Sequence, residues 1–230
     1  PNLFPKLPYD PIKDFAAVSY VGYVPNVLAV HPSIPAKSVK ELVALLKVNP
    51  GKYNYASSGN GSTQHIAGEV FKQLTGTSIV HVPYKGSGDA IKDLLAGVVA
   101  MNFDTKPPVM PHIQAGKLRG LAISTPRRLA QLPEVPTFIE EGITGFDVAN
   151  WYGVMAPAGT PRDIVQRLNA DINKAMQVPE VRARLEGVGT QLREQSPAEF
   201  EAYMKTEVVK YAKLIKDTGG SISIAGYVET

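Results

Sequence analysis

From Lys52 to Gly76 the chain reads KYNYASSGNGSTQHIAGEVFKQLTG, a strand, a glycine loop and a helix in direct succession. Lys52 to Ala56 alternate polar and apolar as a half-buried strand does, and Ile66, Ala67, Val70, Phe71 and Leu74 recur at helical spacing. The loop between them supports two readings. The first N–H groups of a helix have no intrahelical partner and lie at the positive end of its dipole, so a carboxylate or phosphate is stabilised there. Gly59 and Gly61 let a ligand approach those amides, and Ser57, Ser58, Ser62 and Thr63 add hydroxyls. The alternative is a plain connector with Ser62 as N-cap. The loop lacks the GK[ST] ending of a phosphate-binding P-loop and the GxGxxG spacing of a dinucleotide fold, which disfavours nucleotides.

The same alternation continues along the chain. Ala17 to Val30 forms two apolar runs split by Gly22 and Pro25, a strand that bends and continues. Ser38 and Glu41 make a capping box for a helix that ends near Asn49. Ser78 to Tyr84 reads as a strand, KGSGD as a turn, and Ala90 to Ala96 as a helix stopped by Gly97; Val98 to Asp104 is the next strand. A short helix over Pro107 to Ala115 and a strand over Leu118 to Ser124 follow. The alternation predicts an α/β fold with a largely parallel sheet.

Past the prolines at 126, 133 and 136 come a short helix near Phe138 to Glu141 and the apolar strand Asn150 to Ala156. Helices then start at Thr160–Asp163, after Pro179 and at Ser196–Glu199. The last carries Phe200, Tyr203, Met204, Val208, Tyr211 and Ile215 on one core face.

The 230 residues allow one large domain or two small ones, and a 44% hydrophobic content supports a packed core. The net charge of +3 is dispersed, without the basic and aromatic clustering of a nucleic-acid surface, and suits small acidic ligands. With no cysteine, disulfides and thiolate metal sites are excluded, which fits either a reducing compartment or the periplasm. No long apolar run is present and no signal peptide precedes Pro1, so the chain reads as cytosolic, as a mature secreted chain or as a fragment.

In open α/β sheets ligands bind beyond the carboxyl ends of strands, and three successive strands end in SSGNGS, YKGSGD and NFDTK. Lys85 can face a carboxylate or be solvated; Asp104 can accept from a ligand or cap the next segment. Catalysis finds less support. The four histidines lack HExxH or other metal-ligand spacing, His65 at the third helical position reads as a capping or packing residue, and no GxSxG elbow is present.

Four segments in order, SSGNGSTQHIAGEVFKQLTG, HVPYKGSGDAIKDLLAGVVAMNFD, GKLRGLAIST with LPEVPTFIEEG, and WYGVMAPAGTP, closely resemble the substrate-binding receptors of tripartite tricarboxylate transporters, the TctC or Bug family. The likeness runs from about Leu3 to Gly219. It implies a type II periplasmic-binding-protein-like fold of two α/β domains joined by crossing strands, Tyr20–Val30 and Asn150–Ala156. Residues 1–29 and 151–230 would form domain I and residues 30–150 domain II. It implies a periplasmic, non-enzymatic receptor without cofactor or metal. The ligand would be a small organic acid (a di- or tricarboxylate, an aromatic acid or an acidic amino acid), the protein partners the membrane components of the transporter, and nucleic acid would not be bound. By the same resemblance Ser57, Ser58, Gly59, Gly61, Ser62 and Thr63 form the carboxylate cradle, Lys85, Gly86 and Ser87 the second loop, and Asp104 the polar strand end. The family's first βαβ segment, with its VENRPGAGG-like turn, has no counterpart here. The expectation is therefore an N-terminally truncated first domain with unpaired edges, impaired affinity and dimerisation through the exposed face. An enzyme using SSGNGS as an anion or oxyanion site, or a signalling module, is the alternative.

Overall fold

The computed structural model describes residues 7–217. They divide into two units, Pro25–Asn150 and a second made of the described residues on either side of it, 7–24 and 151–217. The longest apolar stretch of the sequence forms β1 (Phe15–Val30), sixteen residues that run through the boundary at Val24/Pro25. A second strand, β6 (Ala149–Pro157), crosses the other boundary and pairs with β1. Gly22 and Pro25 punctuate β1 without ending it.

In the unit Pro25–Asn150, α1 (Val39–Lys47) opens at Ser38, whose hydroxyl accepts the Glu41 N–H at 3.1 Å. The Glu41 carboxylate reaches back to the Lys37 N–H at 2.7 Å, one residue before the position a standard capping box would use. Next come β2 (Asn54–Ser57), α2 (Thr63–Thr75), β3 (Val80–Pro83), α3 (Ser87–Leu95), β4 (Met101–Thr105), α4 (Lys106–Gln114) and β5 (Arg119–Ile123). The sheet order is β3-β2-β4-β1-β5. β2 is parallel to both β3 and β4, and β1 is inserted antiparallel between β4 and β5.

Two segments differ from the sequence reading. KGSGD is a turn only as far as Gly86, the N-cap of α3; Ser87, Gly88 and Asp89 form the helix's first turn, where weak helix formers cost little. The helix expected near Phe138–Glu141 is a set of turns. Thr137 and Glu140 exchange capping-box hydrogen bonds of 2.7 and 3.1 Å, but Gly142, at a φ of 81°, turns the chain away before a helix can grow.

Alternation along the strands separates two packed faces. Val27, Ala29 and Ala56 meet Ala90, Ile91 and Leu94 of α3 and Val109 of α4. On the other face the Phe71 ring lies 5.3 Å from that of Phe103, and Phe138 stacks on Phe146 at 3.8 Å. Tyr55 belongs to this face, fully buried, with its ring 6.0 Å from Phe103 and its hydroxyl donating to Glu69 Oε1 at 2.8 Å.

The second unit is built from the first part of β1, α5 (Arg162–Gln177), α6 (Pro179–Gly187), β7 (Gln191–Leu192), which pairs with β1, and α7 (Pro197–Asp217). Its core joins Ala17, Tyr20, Phe200 and Met204, with Trp151 and Tyr203 packed against them. On α7, Phe200 and Met204 are buried as read from the sequence, whereas Tyr203, Val208, Tyr211 and Ile215 are half-buried. Over sixteen residues α5 buries only Val165 and Met176, and α6 buries none. Tyr152, Val154, Met155, Ile164 and Leu168 are exposed. No helix among the described residues is long and apolar enough to cross a membrane.

Gly68 of α2 lies against the Tyr55 ring, where an added Cβ would come within 2.2 Å of a ring carbon. Because that ring is fully buried it cannot swing aside. Gly68→Ala is expected to cost about 1–3 kcal/mol and lower the Tm by several degrees in a calorimetric scan. The control Gly88→Ala, also helical but with nothing within 4 Å, should be neutral or slightly stabilising.

Candidate functional site

Because β2, β3 and β4 are parallel, their carboxyl ends share one edge of the sheet, and the three polar loops meet there. The Tyr84 N–H donates to Ser57 O at 2.9 Å, holding the second loop beside the first. Gly59, at a φ of 132°, passes so close to this junction that a Cβ would lie 3.3 Å from the Tyr84 carbonyl oxygen.

Within SSGNGS the two glycine amides are spent on the loop itself. Gly59 N–H donates to Ser57 Oγ at 3.2 Å and Gly61 N–H to His65 Nδ1 at 3.1 Å. Ser62 N–H donates to Gly59 O at 3.2 Å, and Ser62 Oγ accepts the His65 N–H at 3.3 Å as the N-cap. Among the described residues the N–H groups of Ser58, Asn60, Thr63 and Gln64 face no acceptor. The donors available to an anion are thus displaced from the glycines expected in the sequence to their neighbours, including the first two amides of α2.

Asp104, near the end of β4, is fully buried, and its carboxylate is an internal hub. Oδ1 accepts from Gln64 Nε2 at 2.9 Å and from the Thr105 N–H at 2.7 Å; Oδ2 accepts from Asn102 Nδ2 at 3.2 Å and from the Ser87 hydroxyl. Ser58 Oγ donates in turn to Gln64 Oε1 at 2.6 Å. Ser58, Gln64, Asp104 and Ser87 therefore form one chain of hydrogen bonds across all three loops. Thr63 Oγ1 donates to Asn150 Oδ1 at 2.6 Å. Lys85 is exposed and, among the described residues, makes no ion pair; Gly86 is half-exposed beside it. Ser57 is fully buried, so its hydroxyl serves the loop and not the surface.

Beneath the loop the rings of His65 and His81 stack at 3.7 Å, within 6° of parallel. His65 Nδ1 accepts from Gly61, so the neutral ring carries its proton on Nε2, which is buried without a partner. His81 Nε2 lies 2.6 Å from Ser57 Oγ. Burial lowers both pKa values, that of His81 to about 4 with His65's proximity as a further cause.

Gln64, His81, Asn102 and Asn150 were not singled out in the sequence, nor was Lys106 within NFDTK. Lys106 is 1% exposed, and burial lowers its pKa. Among the described residues no three His, Asp or Glu side chains converge as a metal site requires.

The histidine pair gives stability a pH dependence of fixed sign. An unfolded histidine titrates near pH 6.5 and folded His81 near about 4, so between those values the unfolded state holds the extra proton. The contribution of His81 to the Tm is expected to fall as pH is lowered from about 6.5 to about 4 and to level off below. His81→Gln should remove part of that slope in a pH series of thermal melts; an unchanged slope would assign the titration to other groups.

The model of the tripartite tricarboxylate transporter family receptor matches residues 1–220. BugT of Bordetella pertussis is 37% identical over 221 residues, covering 96% of this chain and 68% of its own. Among solved structures, R. palustris Rpa4515 with adipate superposes with a TM-score of 0.84 at 34% identity, covering 94% of this chain and 73% of that one. MatC from Rhodopseudomonas palustris with bound malate gives a TM-score of 0.81 at 30% identity, covering 93% and 74%. The chain thus spans about two thirds of the length of BugT. By the family match over nearly all of its residues, and by these relatives, it belongs to the receptor family of the tripartite tricarboxylate transporters.

Proposed function

We propose that this chain is a periplasmic solute receptor that captures a small organic carboxylate and presents it to the membrane components of a tripartite tricarboxylate transporter. The observation that carries this reading is the set of unspent amides of Ser58, Asn60, Thr63 and Gln64, at a positive helix terminus and beside an internally braced loop. Each hydrogen bond from such an amide to a carboxylate contributes about 1.5–3 kcal/mol. Ser58, Gly59, Gly61, Ser62 and Thr63 would surround the carboxylate, with Lys85, Gly86 and Ser87 on the second loop. Ser57 and Asp104 would act from behind, by holding these loops in place. That Rpa4515 has been solved with adipate and MatC with malate supports an aliphatic acid as solute.

An esterase-like use of the loop finds no base. The Ser58 proton is directed at an amide oxygen, Gln64 Oε1, which is too weakly basic to activate the hydroxyl. Self-association of the 230-residue chain through the exposed Tyr152, Val154, Met155, Ile164 and Leu168 is a further part of the proposal. A clean monomer by light scattering at high concentration would count against it.

Thermal melts with di- and tricarboxylates, aromatic acids and acidic amino acids should show a saturable Tm increase for at least one acid. Thr63→Pro tests the amides directly. Thr63 is the first residue of α2, where proline is tolerated, and Ser62 already has the extended conformation that precedes proline, with φ −64° and ψ 159°. The variant should fold and bind the acid about tenfold more weakly, whereas Thr63→Val, which keeps the N–H but loses the Asn150 contact, should lose less. Wild-type affinity in Thr63→Pro would overturn the assignment of this amide.

A further inference from the structure

Lys106 is among the largest fully buried side chains of the protein, yet among the described residues it forms neither an ion pair nor a hydrogen bond. Lysine is rarely buried to this degree without a partner, because desolvating an ammonium is costly. Its position makes the cost larger. Lys106 is the first residue of α4, next to the positive end of that helix's dipole. The nearest carboxylate in sequence, Asp104, has both oxygens occupied by Gln64, Thr105, Asn102 and Ser87, and none by Lys106.

Among the described residues the buried side-chain polar atoms without a partner are Asn26 Oδ1, His65 Nε2, Asn102 Oδ1 and Gln195 Oε1. Lys106 Nζ is not one of them, so the trace of surface the residue retains lies at its ammonium. On α4, Lys106 precedes Val109 by one turn, on the face that packs against the sheet. It follows Asp104 by two residues at the end of β4. β4 lies in parallel register with β2, Tyr55 opposite Met101 and Ala56 opposite Asn102. Lys106, as the residue that follows β4, and the SSGNGS amides therefore belong to the same strand-end edge, which is bridged by the bond from Gln64 to Asp104.

The first turn of α4 shows why a side chain is used here. After Lys106 come Pro107 and Pro108, which have no N–H, and Thr105 makes no side-chain cap. Where α2 offers free amides to an anion, α4 has replaced two of its own with proline and carries a cation instead.

We infer that Lys106 is the counter-charge for an anionic group of the bound solute, so that the solute is at least a dianion, with one carboxylate at the α2 amides and another at this ammonium. The inference rests on the receptor reading and adds to it a charge requirement set by one residue. Lys106 is then a specificity-determining residue: the empty protein tolerates an unpaired buried cation that the second carboxylate neutralises.

The test compares the full chain with its Lys106→Met variant, of similar length without the charge, using matched pairs of acids: succinate against butyrate, glutarate against pentanoate, adipate against hexanoate. Calorimetric titration of wild type should show each dicarboxylate it accepts binding at least tenfold more tightly than its monocarboxylate partner. In Lys106→Met that ratio should collapse towards one through loss of dicarboxylate affinity, with Lys106→Arg retaining part of it. The ligand-free Lys106→Met protein should melt at an equal or higher temperature, since an uncompensated buried charge has been removed. An unchanged ratio in Lys106→Met overturns the inference. So does a marked drop in the ligand-free Tm, which would make Lys106 a structural balance for Asp104. If wild type binds monocarboxylates as well as dicarboxylates, the inference falls and the receptor reading stands; if it binds no acid, both fall.

Discussion

The strand-end edge of the unit Pro25–Asn150 depends on the carboxylate of Asp104. It is a buried polar group held by hydrogen bonds from Gln64, Thr105, Asn102 and Ser87. These donors come from α2, β4, the start of α4 and α3, so one side chain sets the spacing of every loop at that edge. A polar group buried in this way persists only where its lone pairs are filled. Loss of any one donor would therefore be felt at the other loops, and Ser58 is coupled to Ser87 although no contact joins them.

Much of this architecture is legible in the sequence because it follows from local rules. The Ser38 and Ser62 caps need only a hydroxyl three residues before the amide it accepts. The alternation of strand and helix fixes parallel pairing, and parallel pairing brings SSGNGS, YKGSGD and NFDTK to one edge. The segments that read differently are those where the rule was weak. Gly88 disfavours helix in the middle of an element but not in its first turn. Thr137 and Glu140 carry an N-terminal signal, but Gly142 follows too soon for a helix to form.

The chemistry of the site was less legible, since it depends on distances across the fold. Nothing local indicates that Gln64 reaches Asp104 forty residues away, or that His65 and His81 lie face to face. Lys106 illustrates the limit most clearly. A lysine in a polar, proline-rich stretch reads as solvated, and only the fold shows that it is buried. The glycines in SSGNGS mislead in the opposite sense. They draw attention as donors, while their amides close the loop and leave the neighbouring residues to face outward.

That last arrangement bears on the entropy of recognition. A flexible glycine loop would have to be ordered by its ligand, and the ordering would subtract from affinity with each immobilised residue. Here Ser57 Oγ and His65 Nδ1 restrain the two glycines as the chain folds, over a stacked pair of uncharged imidazoles. The conformational cost of the loop is thus met once, by folding, and does not recur with every solute molecule captured and released.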